Sequence, residues 1–349
     1  RFQGRLYFKV MAQAKKKTTS NPAAHHPVTL LRQQLGEGEG QWVSGETLSQ
    51  SLRMSRTAVW KHVCALRTAG YRIDSSPRKG YLLREIPDLL LPQELQEGLQ
   101  TALIGQGDIR FFPRTDSTNR QAKALAAAGA PEGTVVIAEE QSAGRGRRGR
   151  AWFSPPRTGI YMSLILRPDI PPQEAPRFAL LAAAAVAAAV RETTSLEVMI
   201  KWPNDILAGG RKMGGILTEA SMEMDRVEYL VIGVGLNVNL NRREFPPELQ
   251  SIATSIREET GRPAGRILLT KRLLESLEST YHEYRREGFA PILKRWQDFT
   301  EMLGREVAVE VRGRMLTGEV AAFDADGALV LRTPGGEELR LFFGDVHFV

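Results

Sequence analysis

Gly144-Arg145-Gly146-Arg147-Arg148-Gly149-Arg150-Ala151-Trp152-Phe153-Ser154-Pro155-Pro156 sets four arginines among three glycines, between apolar segments at 133–139 and 160–166. The spacing matches G-x-G-x-x-G in form. That fingerprint, however, opens a helix whose N-terminus faces a pyrophosphate, and here aromatic residues and a proline pair follow instead. No acidic residue sits at the ribose position of a second strand, and no G-x-x-x-x-G-K-[ST] occurs in the chain. Guanidinium groups on a glycine-hinged loop suit a dense anion such as phosphate or carboxylate. A solvated RNA-binding Arg/Gly tract is the competing reading. A position between two apolar strands rather than in a tail argues against it.

Three further segments lie around this loop. Lys201-Trp202-Pro203-Asn204-Asp205 ends an apolar strand, and Lys212 follows just before a strand at 214–219. Two lysines and an aspartate at strand ends suit a nucleotide with its magnesium; alone, the segment equally fits a Pro-Asn-Asp turn with a salt bridge. Gly233-Val234-Gly235-Leu236-Asn237-Val238-Asn239 ends another strand, where glycine permits close approach of a ligand. Asp116-Ser117-Thr118-Asn119 follows a strand at 109–112 and caps an alanine-rich helix. The central region therefore reads as α/β. Beyond it, 267–297 is helical, and short alternating segments from Val307 onward, with glycine turns at Gly313, Gly318, Gly327 and Gly335-Gly336, predict a small all-β barrel.

Charge separates the first quarter from the rest. Residues 1–92 hold 15 Lys and Arg against 6 Asp and Glu, a net +9; the remaining 257 hold 32 against 34. Residues 1–27 read as a disordered basic tail, whose first ten residues precede Met11 and are left out of the fold. In 28–86, Ser44 starts a short helix and Ser55 caps a second one, Arg56–Thr68, with Val59, Val63 and Leu66 inward. Arg56, Thr57, Lys61 and His62 lie on its other face. Two strands then flank Arg78 and Lys79. This is a winged helix-turn-helix, whose second helix enters the major groove while the wing touches phosphate. The competing use is a three-helix protein-contact unit.

The 349 residues predict two to three domains. The longest apolar run, 178–190, has 13 residues, short of the ~20 a membrane span needs. One cysteine, Cys64, excludes an internal disulfide and predicts a reducing, cytoplasmic setting. The five histidines show no ligand spacing.

The GRGRRGR loop, KWPND turn, RKMGGIL segment, GVGLNVN strand and DSTN helix start occur in one order and spacing. As a set they resemble the bifunctional biotin protein ligases that also repress the biotin operon, over about residues 28–349. The resemblance implies a multidomain α+β chain: winged helix at 28–86, biotin/lipoate-ligase-like domain at 87–301, SH3-like barrel at 302–349. It implies joining of biotin and ATP, with Mg²⁺, to biotinyl-5′-adenylate, then transfer of biotin to a lysine of a biotin carboxyl carrier protein. An adenylate-bound homodimer would bind operator DNA; no membrane is involved. Ser117, Thr118, Asn119, Gln141, Arg145, Gly146, Arg147 and Lys212 match biotin-binding positions. Trp152, Asn204, Asp205 and Asn237 match adenylate-binding ones. Arg145, Arg147, Lys201, Asp205 and Lys212 are the catalytic candidates, with Asp205 also near the metal. Ala151 departs from relatives that carry lysine there. A lipoate-type ligase and a DNA-binding regulator without ligase activity remain alternatives. A cysteine-dependent octanoyl transferase does not, since Cys64 lies in the recognition helix.

Overall fold

The structure, a computed structural model, describes residues 27–37 and 40–349. The tail expected over 1–27 lies outside the described residues except for its last position. The chain separates into two compact units, Arg1–Leu89 and Leu90–Val349.

The first unit contains α1 (Pro27–Glu37), α2 (Gly45–Ser51), α3 (Arg56–Thr68) and an antiparallel hairpin of β1 (Arg72–Ser76) and β2 (Gly80–Glu85). The side chains of Ser44 and Ser55 accept hydrogen bonds from the Thr47 and Ala58 amides, each cap contributing roughly 1 kcal/mol. Leu31, Leu35, Leu48, Val59, Val63 and Leu66 pack inward, and Ile73 and Leu82 from the hairpin close the core. Arg67 donates to the Ile73 carbonyl through Nε (2.9 Å) and Nη2 (2.6 Å), tying the hairpin to the end of α3. Gly80 has φ +96°, and a Cβ there would meet the Val43 carbonyl at 2.1 Å. That closeness lets Val43 bridge to Tyr81 as a short third strand.

The second unit is built on a seven-stranded sheet. Its strands are β3 (Ile109–Phe112), β4 (Val135–Ala138), β5 (Gly159–Leu166), β6 (Met199–Lys201), β7 (Asp205–Ala208), β8 (Arg211–Glu223) and β9 (Arg226–Asn237). Their order is β3-β4-β5-β9-β8-β7-β6, with only β3 and β4 parallel. Strand β5 is buried along its whole length, as a strand covered on both faces must be. On one face α5 (Thr118–Ala127) sets Ala122 and Ala126 against Val136, Ile165 and Val231. On the other, α6 (Arg177–Thr194) packs with α8 (Arg266–Glu287), where Phe178 meets Tyr284 edge-on at 5.1 Å. Between β2 and β3 lies the short α4 (Pro92–Gln96), and α7 (Ile256–Thr260) precedes α8. Among the described residues, Pro172–Thr194 is the one helical stretch long and apolar enough to cross a membrane. Leu181, Ala183, Val186 and Val190 show why it is apolar: all are buried in this core.

Several boundaries differ from the sequence reading. Strand β8 runs beyond the expected 214–219, because its ladder with β9 continues past the core where polar residues such as Ser221 and Glu228 face out. The helix expected over 267–297 breaks at Gly288 (φ +79°) into α8 and α9 (Ala290–Gln297). The barrel strands are β10 (Glu306–Val311), β11 (Arg314–Phe323), β12 (Leu329–Arg332), β13 (Glu338–Leu341) and β14 (Asp345–Phe348), in antiparallel order β13-β12-β11-β10-β14. Gly318 is not a turn; it lies within β11, where a Cβ would come 2.3 Å from the Arg332 carbonyl. Trp296 of α9 meets Phe323 edge-on at 4.7 Å, anchoring barrel to helices.

Candidate active site and nucleic-acid interface

A cavity of about 590 Å³ opens over β8 and β9, bounded by the arginine loop, the 201–205 turn and Asp345 of the barrel. The two glycines of β9 line the cavity, and each also makes room for a side chain of the protein itself. A Cβ at Gly233 would fall 2.0 Å from Asn119 Oδ1, and one at Gly235 2.6 Å from the Trp152 ring. The chain's own side chains make the close approach, and they form the cavity floor.

One end of the cavity is polar and tightly wired. Ser117 stands at the N-cap of α5, but its side chain makes no cap bond. Gln141 Oε1 instead accepts from the Thr118 amide at 2.8 Å, and Gln141 Nε2 donates to Ser154 Oγ at 2.9 Å. The buried Ser163 hydroxyl donates to Asn119 Oδ1 at 2.6 Å and lies 2.8 Å from Thr118 Oγ1. Asn119 Nδ2 donates to Glu219 at 3.0 Å. Burial pushes the Glu219 carboxyl up, but hydrogen bonds from Lys123 and Asn119 outweigh it and hold the group below its usual value. This network fixes Thr118 and Asn119 in one orientation, a preformed polar recognition surface.

The other end is cationic. Lys212 Nζ lies 2.6 Å from Asp205 Oδ1, and Lys201 Nζ is 3.6 Å from Oδ2. The same Lys212 ammonium sits 5.6 Å from the centre of the Trp152 ring. Asn204 is locked to the sheet through the Ile216 amide and carbonyl, and its Oδ1 accepts from Arg147 Nη1 at 3.2 Å. Asn237 Nδ2 donates to the Thr254 carbonyl at 3.0 Å.

The arginine loop is folded back as a small hairpin, with Trp152 N bonded to Gly144 O and Gly146 N to Arg150 O. Its anchor is in the barrel. Asp345 receives Arg148 at 3.0 Å and Arg150 at 2.6 Å, with Arg147 at 3.9 Å. Arg148, at φ +55°, also reaches Glu310 at 3.2 Å. Arg145 is exposed and makes none of these barrel contacts. The cavity thus gathers every ligase-site residue expected from the sequence. Sequence reasoning missed Ser154, Ser163, Glu219, Glu310 and Asp345, which carry no motif of their own.

The comparisons with known proteins follow this geometry. The biotin/lipoate A/B protein ligase family matches residues 111–237, an HTH domain matches 28–82, and the biotin protein ligase C-terminal domain matches 302–349. The bifunctional ligase/repressor BirA of Bacillus subtilis (strain 168) is 40% identical over 307 residues, covering 88% of this chain and 94% of that protein. The chain belongs to the bifunctional biotin ligase/repressor family. Its relative of the same name in Escherichia coli (strain K12) is 34% identical, covering 85% and 90% of the two chains. Among solved structures, the Aquifex aeolicus biotin protein ligase in complex with biotin and ATP aligns with TM-score 0.61 and 26% identity, over 69% of this chain and 99% of that one.

The N-terminal unit of this ligase/repressor carries its second candidate site. Thr57, Trp60 and Lys61 are exposed on α3, and Arg78 and Lys79 are exposed at the hairpin tip. Arg56, expected to face DNA, is ion-paired with Glu46 of α2. His62 is half-buried, and burial pushes its imidazole below the usual value, toward the neutral form. Lys79 Nζ lies 5.8 Å from the centre of the Trp42 ring. The sequence reading left both tryptophans out.

Proposed function

We propose that the chain is an ATP-dependent biotin ligase and a transcriptional repressor, and that the cavity runs both halves of the ligase reaction. In the first half, a carboxylate oxygen of biotin attacks the α-phosphorus of ATP. The bond to the bridging oxygen breaks, and pyrophosphate leaves with that electron pair. In the second half, the ε-amine of a carrier-protein lysine attacks the adenylate carbonyl, loses a proton, and AMP departs.

Ser117, Thr118, Asn119 and Gln141 supply the donors and acceptors for the biotin ring. Arg145, the Gly146 backbone, Arg147 and Lys212 meet the carboxylate and α-phosphate, whose mutual repulsion must be neutralised. Trp152 offers an apolar plate for adenine, with Asn204, Asp205 and Asn237 nearby. Lys201 helps hold the Asp205 carboxylate. Asp205 orients the incoming amine, or takes its proton, once Lys212 turns to the phosphate. The observation that carries this reading is the Lys212–Asp205 contact beside Arg147 at the end of a preorganised polar pocket.

Magnesium enters as part of the substrate Mg·ATP. Asp205 is the carboxylate available to it, but both of its oxygens already face ammonium groups. Among the described residues no three His, Cys, Asp or Glu cluster together. Phosphate oxygens and water would hold the ion, as is common for Mg²⁺.

The repressor half uses the winged unit. An adenylate-bound homodimer would present two recognition helices to a palindrome, because a two-fold pair reads two half-sites. The acceptor is a biotin carboxyl carrier protein, and the single Cys64 suits the reducing cytoplasm.

The test is mass spectrometry of the purified chain after incubation with biotin and Mg·ATP, with lipoate as a parallel arm. Pyrophosphate release with retained biotinyl-adenylate is the expected result. Activation of lipoate alone would move the assignment to a lipoate-type ligase, and activation of neither acid would overturn the catalytic reading.

A further inference from the structure

Helix α3 turns two unlike sides outward and inward. Val59, Val63 and Leu66 are buried, while Arg56, Thr57, Trp60, Lys61 and Cys64 follow one another at i, i+1, i+4, i+5 and i+8. Trp60 stands at the middle of that outer row with 54% of its surface exposed. An indole is among the largest apolar bodies a side chain offers, and burial is where it contributes. An unburied one at the centre of a recognition helix therefore calls for an occupant.

Charge identifies the occupant. Lys61 neighbours Trp60 on the helix, Arg78 and Lys79 stand at the hairpin tip, and residues 28–92 hold 9 Lys and Arg against 6 Asp and Glu. Such a field attracts a polyanion. Arg56 is already committed to Glu46, so the middle of α3 is left to Trp60 and Lys61. A lysine placed on phosphate carries no sequence information. An indole can give phosphate a single N–H hydrogen bond; what its apolar faces can bury against in the major groove is the apolar mark on a base edge, the 5-methyl group of thymine.

We propose that Trp60 is the specificity-determining residue of the DNA-binding unit, packing on a thymine methyl group in the major groove of the operator. Lys61, Arg78 and Lys79 then supply attraction that is blind to sequence. This inference rests on the DNA-binding reading given above, and its test separates the two.

The full-length chain, loaded with biotin and Mg·ATP, is used to select a duplex from a randomised pool. Affinities are then measured for the selected duplex, for a scrambled duplex of equal length and composition, and for the selected duplex with uracil in place of thymine. Trp60→Ala should weaken binding to the selected duplex about tenfold or more, which is about 1.4 kcal/mol. Its affinity for the scrambled duplex and its salt slope should stay those of the wild type. Uracil should weaken the wild type comparably and add nothing to the loss in Trp60→Ala. Lys61→Ala should weaken both duplexes and lower the salt slope by about one.

Trp60→Phe should keep part of the preference, and unchanged affinity of each Trp60 variant for the scrambled duplex shows that the winged unit is intact. Equal affinity of Trp60→Ala and wild type for the selected duplex overturns the inference while DNA binding stands. A uniform loss on both duplexes overturns it too, making Trp60 a packing residue. A wild type that binds no duplex, or binds both alike, overturns the DNA-binding reading itself, and a protein partner then covers the indole.

Discussion

Lys212 and Asp205 are joined at 2.6 Å diagonally across the antiparallel pair β7–β8, where Asp205 faces Gly215 and Lys212 faces Leu207, with the second carboxylate oxygen 3.6 Å from Lys201. The ammonium is thereby held in place beside the carboxylate. In the proposed mechanism, Lys212 turning to the α-phosphate would release Asp205 to engage an amine, so that one contact would serve both half-reactions in turn.

Separate losses are the consequence. Lys212→Ala should cut adenylate formation by about 10²- to 10³-fold, the cost of removing one charge-stabilising donor. Asp205→Asn should still form biotinyl-adenylate yet fail in transfer to the carrier lysine. Single-turnover assays of each half-reaction read this directly, and unchanged transfer by Asp205→Asn would sink the assigned role.

Asp345, in the barrel-side wall of the cavity, holds Arg148 and Arg150. Asp345→Asn should leave the melting temperature nearly unchanged, because partly exposed ion pairs contribute little to stability. It should speed tryptic cleavage within residues 147–150 and raise the adenylate dissociation rate about tenfold, or about 1.4 kcal/mol. Equal cleavage rates in variant and wild type would show that the barrel does not restrain the loop.

Gly235→Ala and Gly233→Ala should each destabilise by about 1–3 kcal/mol, the usual cost of forcing atoms into a filled space. Their functional effects should differ. The first displaces Trp152 and should weaken ATP; the second displaces Asn119 and should weaken biotin. Isothermal titration with each ligand distinguishes them, and identical profiles would count against a divided cavity.

Asp116 gives a pH signature. Burial alone would push its carboxyl up, but hydrogen bonds from Gln121, the Ser117 amide and Arg120 bring it from 3.8 down to about 2. A carboxyl depressed by folding contributes stability above its unfolded value and loses it as the pH falls through its folded value. The contribution should fade between about pH 4 and pH 2, and Asp116→Asn should flatten that part of an acid-unfolding curve. A curve of unchanged slope would show that Asp116 is not held this way.

What was legible in the sequence was local. Ser55 marked the start of α3, the run 109–112 was bounded as β3 is, and the glycine-rich loop lay between β4 and β5. These rest on capping and periodicity, which neighbouring residues carry. Ser163 looked like any residue of an apolar strand, although it wires Thr118 to Asn119 from 44 positions away. Gly318 looked like a turn because only the register against β12 shows a carbonyl in the way. Gly233 and Gly235 were legible as space for a ligand but not as space for Asn119 and Trp152, since those side chains come from elements far away in the chain. Arg56 is exposed as expected, but its pairing with Glu46 was not legible because that partner lies on the other helix.

The tie between Arg150 and Asp345 spans 195 positions of sequence. During synthesis, the strands and side chains that would grip biotin all emerge before the residue that restrains the arginine loop. Any chain that ends before β14 therefore lacks the carboxylate that ties the arginine loop down, so the last strand of the barrel completes a cavity whose other walls come from far earlier in the sequence.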